Sequence, residues 1–162
     1  MPSKPDIAYI PCNQEIVEAI LELAKINSQD ILYDLGSGDG RILISAANKY
    51  GTRGIGIDID PQRIEQARQK ALENGVSEQL EFYQQDLFSS NFADATVIFI
   101  YLLPHLNLRL RPQLWQQLKP GTRIISRDFD MGDWQPLQQL KLTVKEEEDE
   151  LVTLYYWEIG NQ

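Results

Sequence analysis

Three glycines on alternate positions, in the run "LYDLGSGDGR" over residues 32–41, constrain this chain more than any other feature. A residue with no side chain is needed where backbone turns tightly or is approached closely, so Gly36, Gly38 and Gly40 mark a special loop. The preceding run, "DILYDL", is short, apolar and rich in large side chains. The following run, "RILISAANKYG", carries apolar residues at Ile42, Ile44, Ala46, Ala47 and Tyr50 and stops at Gly51. The loop therefore joins a buried strand to a helix, as in folds that bind nucleotides at such a turn.

The alternation continues along the chain. After prolines at 2, 5 and 11, "EIVEAILELAKI" places Ile16, Val17, Ile20, Leu21, Leu23 and Ala24 on one face of a packing helix. "RGIGIDI" reads as the second strand, and "DPQRIEQARQKALENG" as a helix with an Asp cap, Pro61 in its first turn and Gly75 at its end. "QLEFYQQD" is the third strand and "ATVIFIY" the fourth. "LRPQLWQQLKPG" is a helix with Pro112 in its first turn, and "TRIIS" is the fifth strand. The end, "LKLTVKEEEDELVTLYYWEI", has two period-2 runs about an acidic turn, an antiparallel hairpin with "EEEDE" as its solvated tip. The expectation is an α/β fold: one Rossmann-like three-layer domain with a mostly parallel, seven-stranded sheet closed by that hairpin. Residues 1–30 form an extended segment and packing helix, and 31–162 the ligand-binding domain, in one structural unit.

In a dinucleotide fingerprint the third glycine would stand at position 41, where this chain has Arg41. Asp34 and Asp39 would also face an already anionic pyrophosphate, at a cost of a few kcal/mol. No Gly-Lys-Ser/Thr follows, which excludes a P-loop. Carboxylates beside bare backbone suit a cation, and S-adenosyl-L-methionine carries a sulfonium and an ammonium. Asp58, 18 residues after Gly40, closes the second strand where a carboxylate accepts ribose hydroxyls. Asp86 closes the third, so three successive strands end in aspartate in register with the glycine loop.

Composition narrows the partners. With 24 acidic residues against 15 basic ones, the net charge is −9 and no basic block forms a phosphate-tracking stripe, so nucleic acid is not expected. Cys12 is the single cysteine, read as a small buried thiol, and His105 the single histidine, read as a surface-loop residue. One histidine cannot build a His-based metal site, and no metal is expected. The absence of a signal-type segment or a membrane-spanning run points to a cytoplasmic protein.

On "DLGSGDGR", "GIGIDIDP", "FYQQDLF" and "LKPGTRIIS", the chain resembles the class I S-adenosylmethionine-dependent methyltransferases over essentially its full length. The resemblance implies Asp34, Gly36, Ser37 and Gly38 around the methionine end, Asp58 on the ribose and Ile59 against the adenine. It further implies Asp86 accepting the adenine amino group and Leu87 lending a backbone N–H. "YIPC", "DLGSGDGRILI" and "FDMGDWQP" are similar to motifs of the small family related to the ATP synthase c-subunit lysine methyltransferase, and that likeness sets Tyr9 and Pro11 beside the cofactor. Cys12 replaces the hydroxyl residue usual there.

Methyl transfer from a sulfonium needs chiefly alignment of a neutral nucleophile. Tyr101, beyond the fourth strand, is the candidate for lining the methyl channel, and plain packing accounts for it equally well. "IYLLPHLNLRLRP" is not the Asn/Asp-Pro-Pro-Tyr/Phe motif, which argues against adenine or glutamine amide as acceptor. Asp128, Asp130 and Trp134 form an acidic, aromatic rim that suits a lysine side chain. Protein-lysine N-methylation is the leading expectation. A small-molecule methyltransferase and a cofactor-binding module without catalysis are the alternatives.

Overall fold

The computed structural model describes residues 13–145 and 149–160. Tyr9, Pro11, Cys12 and most of the "EEEDE" tip lie outside the described residues. In chain order the elements are α1 (Gln14–Leu23), β1 (Ile31–Leu35), α2 (Arg41–Tyr50), β2 (Arg53–Asp58), α3 (Pro61–Glu73), β3 (Leu80–Gln84), β4 (Val97–Ile100), α4 (Pro104–Gln117), β5 (Arg123–Arg127), β6 (Gln138–Lys145) and β7 (Asp149–Glu158). A short 3₁₀ turn spans Leu87–Ser89.

The strands form one seven-stranded sheet in the order β3-β2-β1-β4-β5-β7-β6. The first five run parallel, and β7 and β6 are antiparallel. Helices cover both faces, which is why all four residues of central β4 are buried. Leu32, Val97, Phe99 and Ile125 pack with apolar residues of α1, α2 and α3. Leu35, Ile98, Ile100 and Ile124 pack with Leu106, Leu110 and Leu114 of α4. The chain order reverses direction between β1 and β4, the place where open parallel sheets leave a crevice at their carboxyl ends.

Local signals act where the residues demand them. Asn13 caps α1 by accepting from Ile16 N–H, and Asp60 caps α3 by accepting from Gln62 N–H, with Pro61 at the first helical position. One boundary departs from the expectation. Helix α4 begins at Pro104, so Pro112 lies inside it and His105 belongs to its first turn, not to a loop. Pro112 is tolerated because it sits on the exposed face, one turn after exposed Leu108, whose carbonyl can turn to water. No helix among the described residues is long and apolar enough to cross a membrane.

Candidate functional site

The glycine loop lies over the carboxyl ends of β1 and β2. Gly36, Gly38 and Gly40 have φ of 88°, 57° and 79°, the left-handed region that side chains rarely adopt, which explains the alternate spacing. Gly36 N–H and Ser37 N–H both donate to Ile57 carbonyl, at 2.7 and 3.0 Å, and Gly38 N–H donates to Asp58 Oδ2 at 3.0 Å. Gly56 lets the loop settle this low: a Cβ there would come within 2.8 Å of Ser37 Oγ and 2.7 Å of the Phe82 ring. The buried Ser37 hydroxyl has no hydrogen-bond partner among the described residues.

Asp34 and Asp58 are 2 % and 6 % exposed. No cation among the described residues pairs with Asp34. Burial first, then the charges of Asp58 and Asp39, push its carboxyl up to about 8. Asp58 accepts Gly38 N–H through one oxygen and Asp60 N–H through the other, at 3.0 and 2.9 Å. A carboxylate has about four acceptor positions, so both oxygens keep capacity for hydroxyl donors. The chemistry of this donor set fits a ligand with a cationic end and a vicinal diol, and S-adenosylmethionine has both.

Asp39 does not share that role. It pairs with Arg41 at 2.6 Å and Lys70 at 2.7 Å. Burial alone would raise its carboxyl, but the hydrogen bonds and charges of those two cations hold it well below the usual range. That leaves Asp34 and Asp58 as the buried carboxyls beside the loop with no cationic partner among the described residues.

The three aspartates are staggered and not in one row. Asp34 pairs across the sheet with Gly56, and Asp58 with Gln84. Asp86 lies beyond β3, exposed, where it accepts Phe88 N–H at the head of the 3₁₀ turn. Leu87 opens that turn, and its carbonyl accepts from Gln113 of α4. Ile59, half-buried, follows Asp58 directly.

On the other side of the crevice, Tyr101 follows β4 directly and is half-buried. Its ring stacks on Phe129 with centroids 6.2 Å apart and planes 21° apart. Asp130 is exposed. Asp128 is half-buried at φ 65°, its Oδ1 accepting Thr153 N–H at 3.0 Å. Trp134 is not at the rim: it is 5 % exposed, its carbonyl takes Trp157 Nε1–H at 2.8 Å, and its ring lies 5.6 Å from that of Trp157. Met131 and Trp134 form a β-bridge, and the aromatic residue between Asp128 and Asp130 is Phe129.

Two buried polar residues here escape sequence reasoning. Arg127, 1 % exposed, sets its guanidinium carbon 4.6 Å from the Tyr101 ring centroid and pairs with Asp128 at 3.4 Å. Asn107 is fully buried in α4 and donates to Phe129 and Asp130 carbonyls at 3.2 and 3.0 Å. Its signal was an amide on the apolar stripe Asn107, Leu110, Leu114.

The chain is similar to several known proteins. Residues 34–138 match the model of the ANTKMT methyltransferase domain. A protein-lysine N-methyltransferase of Saccharolobus islandicus is 36 % identical over 96 % of both chains. The human ATP synthase c-subunit lysine N-methyltransferase is 29 % identical over 80 % of this chain, which spans 55 % of its length. A crystal structure described as an RNA methyltransferase from Salinibacter ruber in complex with S-adenosyl-L-homocysteine is 48 % identical, with a TM-score of 0.84 over 94 % of this chain and 95 % of that one.

Proposed function

The chain belongs to the ANTKMT methyltransferase domain family of S-adenosylmethionine-dependent methyltransferases, and from that premise we propose that it is a protein-lysine N-methyltransferase. The observation that carries the cofactor half is Asp34, a buried carboxylate without a cationic partner among the described residues. The acceptor half is supported by full-length likeness to a lysine methyltransferase and by an acidic opening at Asp128 and Asp130.

S-Adenosylmethionine supplies a methyl group on a sulfonium, open to in-line displacement by an amine. Asp34 holds the cationic methionine end, with Gly36, Ser37 and Gly38 providing close backbone. Asp58 accepts the ribose hydroxyls, Ile59 covers the adenine, and Asp86 and Leu87 N–H meet its edge. Tyr9 and Pro11 belong to the same proposal. Tyr101 lines the approach of the amine. Asp128 and Asp130 draw a lysine ammonium toward the crevice, and a cytoplasmic setting goes with this reading.

A second reading, RNA methylation, is favoured by the description of the 48 % identical structure. Against it stand the net charge of −9 and the commitment of Arg41, Lys70, Arg111 and Arg123 to carboxylates. Incubation with host lysate and cofactor labelled in the methyl group decides. Label that resists ribonuclease, yields to protease and maps to lysine by mass spectrometry is the expected result. Label released by ribonuclease, or confined to small molecules, overturns the lysine assignment. A specific protein captured without any labelled fraction would indicate a module that binds cofactor and does not turn over.

A further inference from the structure

We infer that Arg127 is a positioning residue for the methyl acceptor, acting through Tyr101; the inference deepens the reading above and rests on it for the identity of the acceptor. Stability is a poor reason for a guanidinium buried to 1 % at the end of β5. A buried ion pair seldom outperforms apolar side chains of the same volume, because both charges lose their water. What Arg127 does have is a set of contacts that converge on the acceptor side of the crevice.

Its guanidinium lies over the Tyr101 ring at 4.6 Å, a cation facing the negative face of the aromatic system. Its Nε faces Asp128 Oδ2 at 3.4 Å. Asp128 stands at φ 65°, and both its N–H and its Oδ1 engage the Thr153 backbone of β7, at 2.7 and 3.0 Å. The next residue, Phe129, is the one that stacks on Tyr101. Arg127 therefore touches the ring directly and also forms an ion pair with the turn that delivers the ring's other partner. Asn107 fixes the far side of that turn through the Phe129 and Asp130 carbonyls. A flat cation clamped in this way sets the tilt of Tyr101, and an error of about 1 Å in acceptor placement is enough to cost a hundredfold in rate.

The test combines Arg127→Met, Arg127→Lys, Tyr101→Ala and the double variant Arg127→Met with Tyr101→Ala. Kinetics use whichever lysate fraction takes up label, so the inference stands or falls separately from the lysine assignment. Arg127→Met is expected to lower kcat at least about tenfold, with S-adenosylhomocysteine affinity by calorimetry within about twofold of the parent. Arg127→Lys, which keeps charge and loses the flat plate, should recover part of that loss. In the Tyr101→Ala background Arg127→Met should add less than about twofold, because its route of action is already gone. Biosynthetic fluorotyrosine gives a readout independent of turnover: the Tyr101 ¹⁹F resonance should move in Arg127→Met and return part of the way in Arg127→Lys. An unmoved resonance, additive losses in the double variant, or an equal fall in cofactor affinity overturns the inference. If Arg127→Met does not fold, Arg127→Lys carries the same tests with smaller effects.

Discussion

If Asp34 is the carboxylate that meets the cationic end of the ligand, affinity should rise steeply with pH, because its carboxyl must give up a proton to bind. Burial and two neighbouring carboxylates push Asp34 up to about 8. If binding requires the ionised form, the available fraction is about 0.3 % at pH 5.5 and about 24 % at pH 7.5, so affinity should increase about 75-fold across that window. Calorimetry with S-adenosylhomocysteine, in buffers of different ionisation enthalpy, measures the same event directly. Roughly one proton should leave per ligand bound at pH 6, and about 0.75 at pH 7.5. Stability follows the same linkage with a definite sign. A folded-state value raised from 3.8 to about 8 gives stability that is fully present below 3.8 and is lost as pH rises through 8. The free protein should therefore melt lower at pH 8 than at pH 6, and ligand should narrow that difference. Asp34→Asn should flatten both dependences. Affinity independent of pH in the parent, no proton release, or an unchanged slope in Asp34→Asn would refute the reasoning.

Asp58→Asn should weaken S-adenosylhomocysteine binding at least about tenfold by calorimetry, since charge-assisted hydrogen bonds contribute about 1.5–3 kcal/mol each and Asp58 also anchors Gly38 N–H. Gly56→Ala puts a Cβ 2.7 Å from the Phe82 ring and 2.8 Å from Ser37, so it should lift the glycine loop and reduce both melting temperature and ligand affinity; unchanged affinity would show that the loop height is immaterial. Arg123→Met removes the cation paired with Asp30, which is 4 % exposed beneath the start of β1, and should cost about 3 kcal/mol in urea unfolding.

Legibility of the fold in the sequence depended on how local the determining chemistry was. Asp60 followed by Pro61 announces a helix start within two residues, and three alternate glycines announce left-handed backbone wherever the chain goes afterwards. The start of α4 was less local, because Pro104 and Pro112 both satisfy the rule for a first helical turn. The choice between them rests on Leu106, which packs in the core with Leu110 and Leu114. Trp134 beside three aspartates has the composition of a rim, yet its position is decided by Trp157, far along the chain. Asp39 shows the same limit. Arg41 is visible two residues away, whereas Lys70, 31 residues away, completes the neutralisation only once α3 packs beside the loop. Arg127 is the extreme case, since nothing in "RIISRD" tells a buried arginine from one reaching into water.

The staggered carboxylates explain how an extended ligand would be oriented as well as bound. Asp34 lies level with Gly56, and Asp58 stands two residues farther along β2, a step of about 6.6 Å toward the carboxyl edge. Asp86 lies two residues beyond Gln84, the β3 partner of Asp58. A ligand crossing β1, β2 and β3 thus meets carboxylates at rising height and falling burial: 2 % exposed, 6 % exposed, then open to solvent. Charge interactions weaken as water enters, so a cation gains most at Asp34 and least at Asp86. In the other direction along the sheet, past β4, the buried guanidinium of Arg127 is paired with Asp128. A cationic end is attracted to β1 and β2, which leaves the space beside Tyr101 to the incoming acceptor. Reversing the ligand would put its cation at the exposed end of the series, where charge interactions are weakest, while Asp34 kept its proton and contributed no charge to binding.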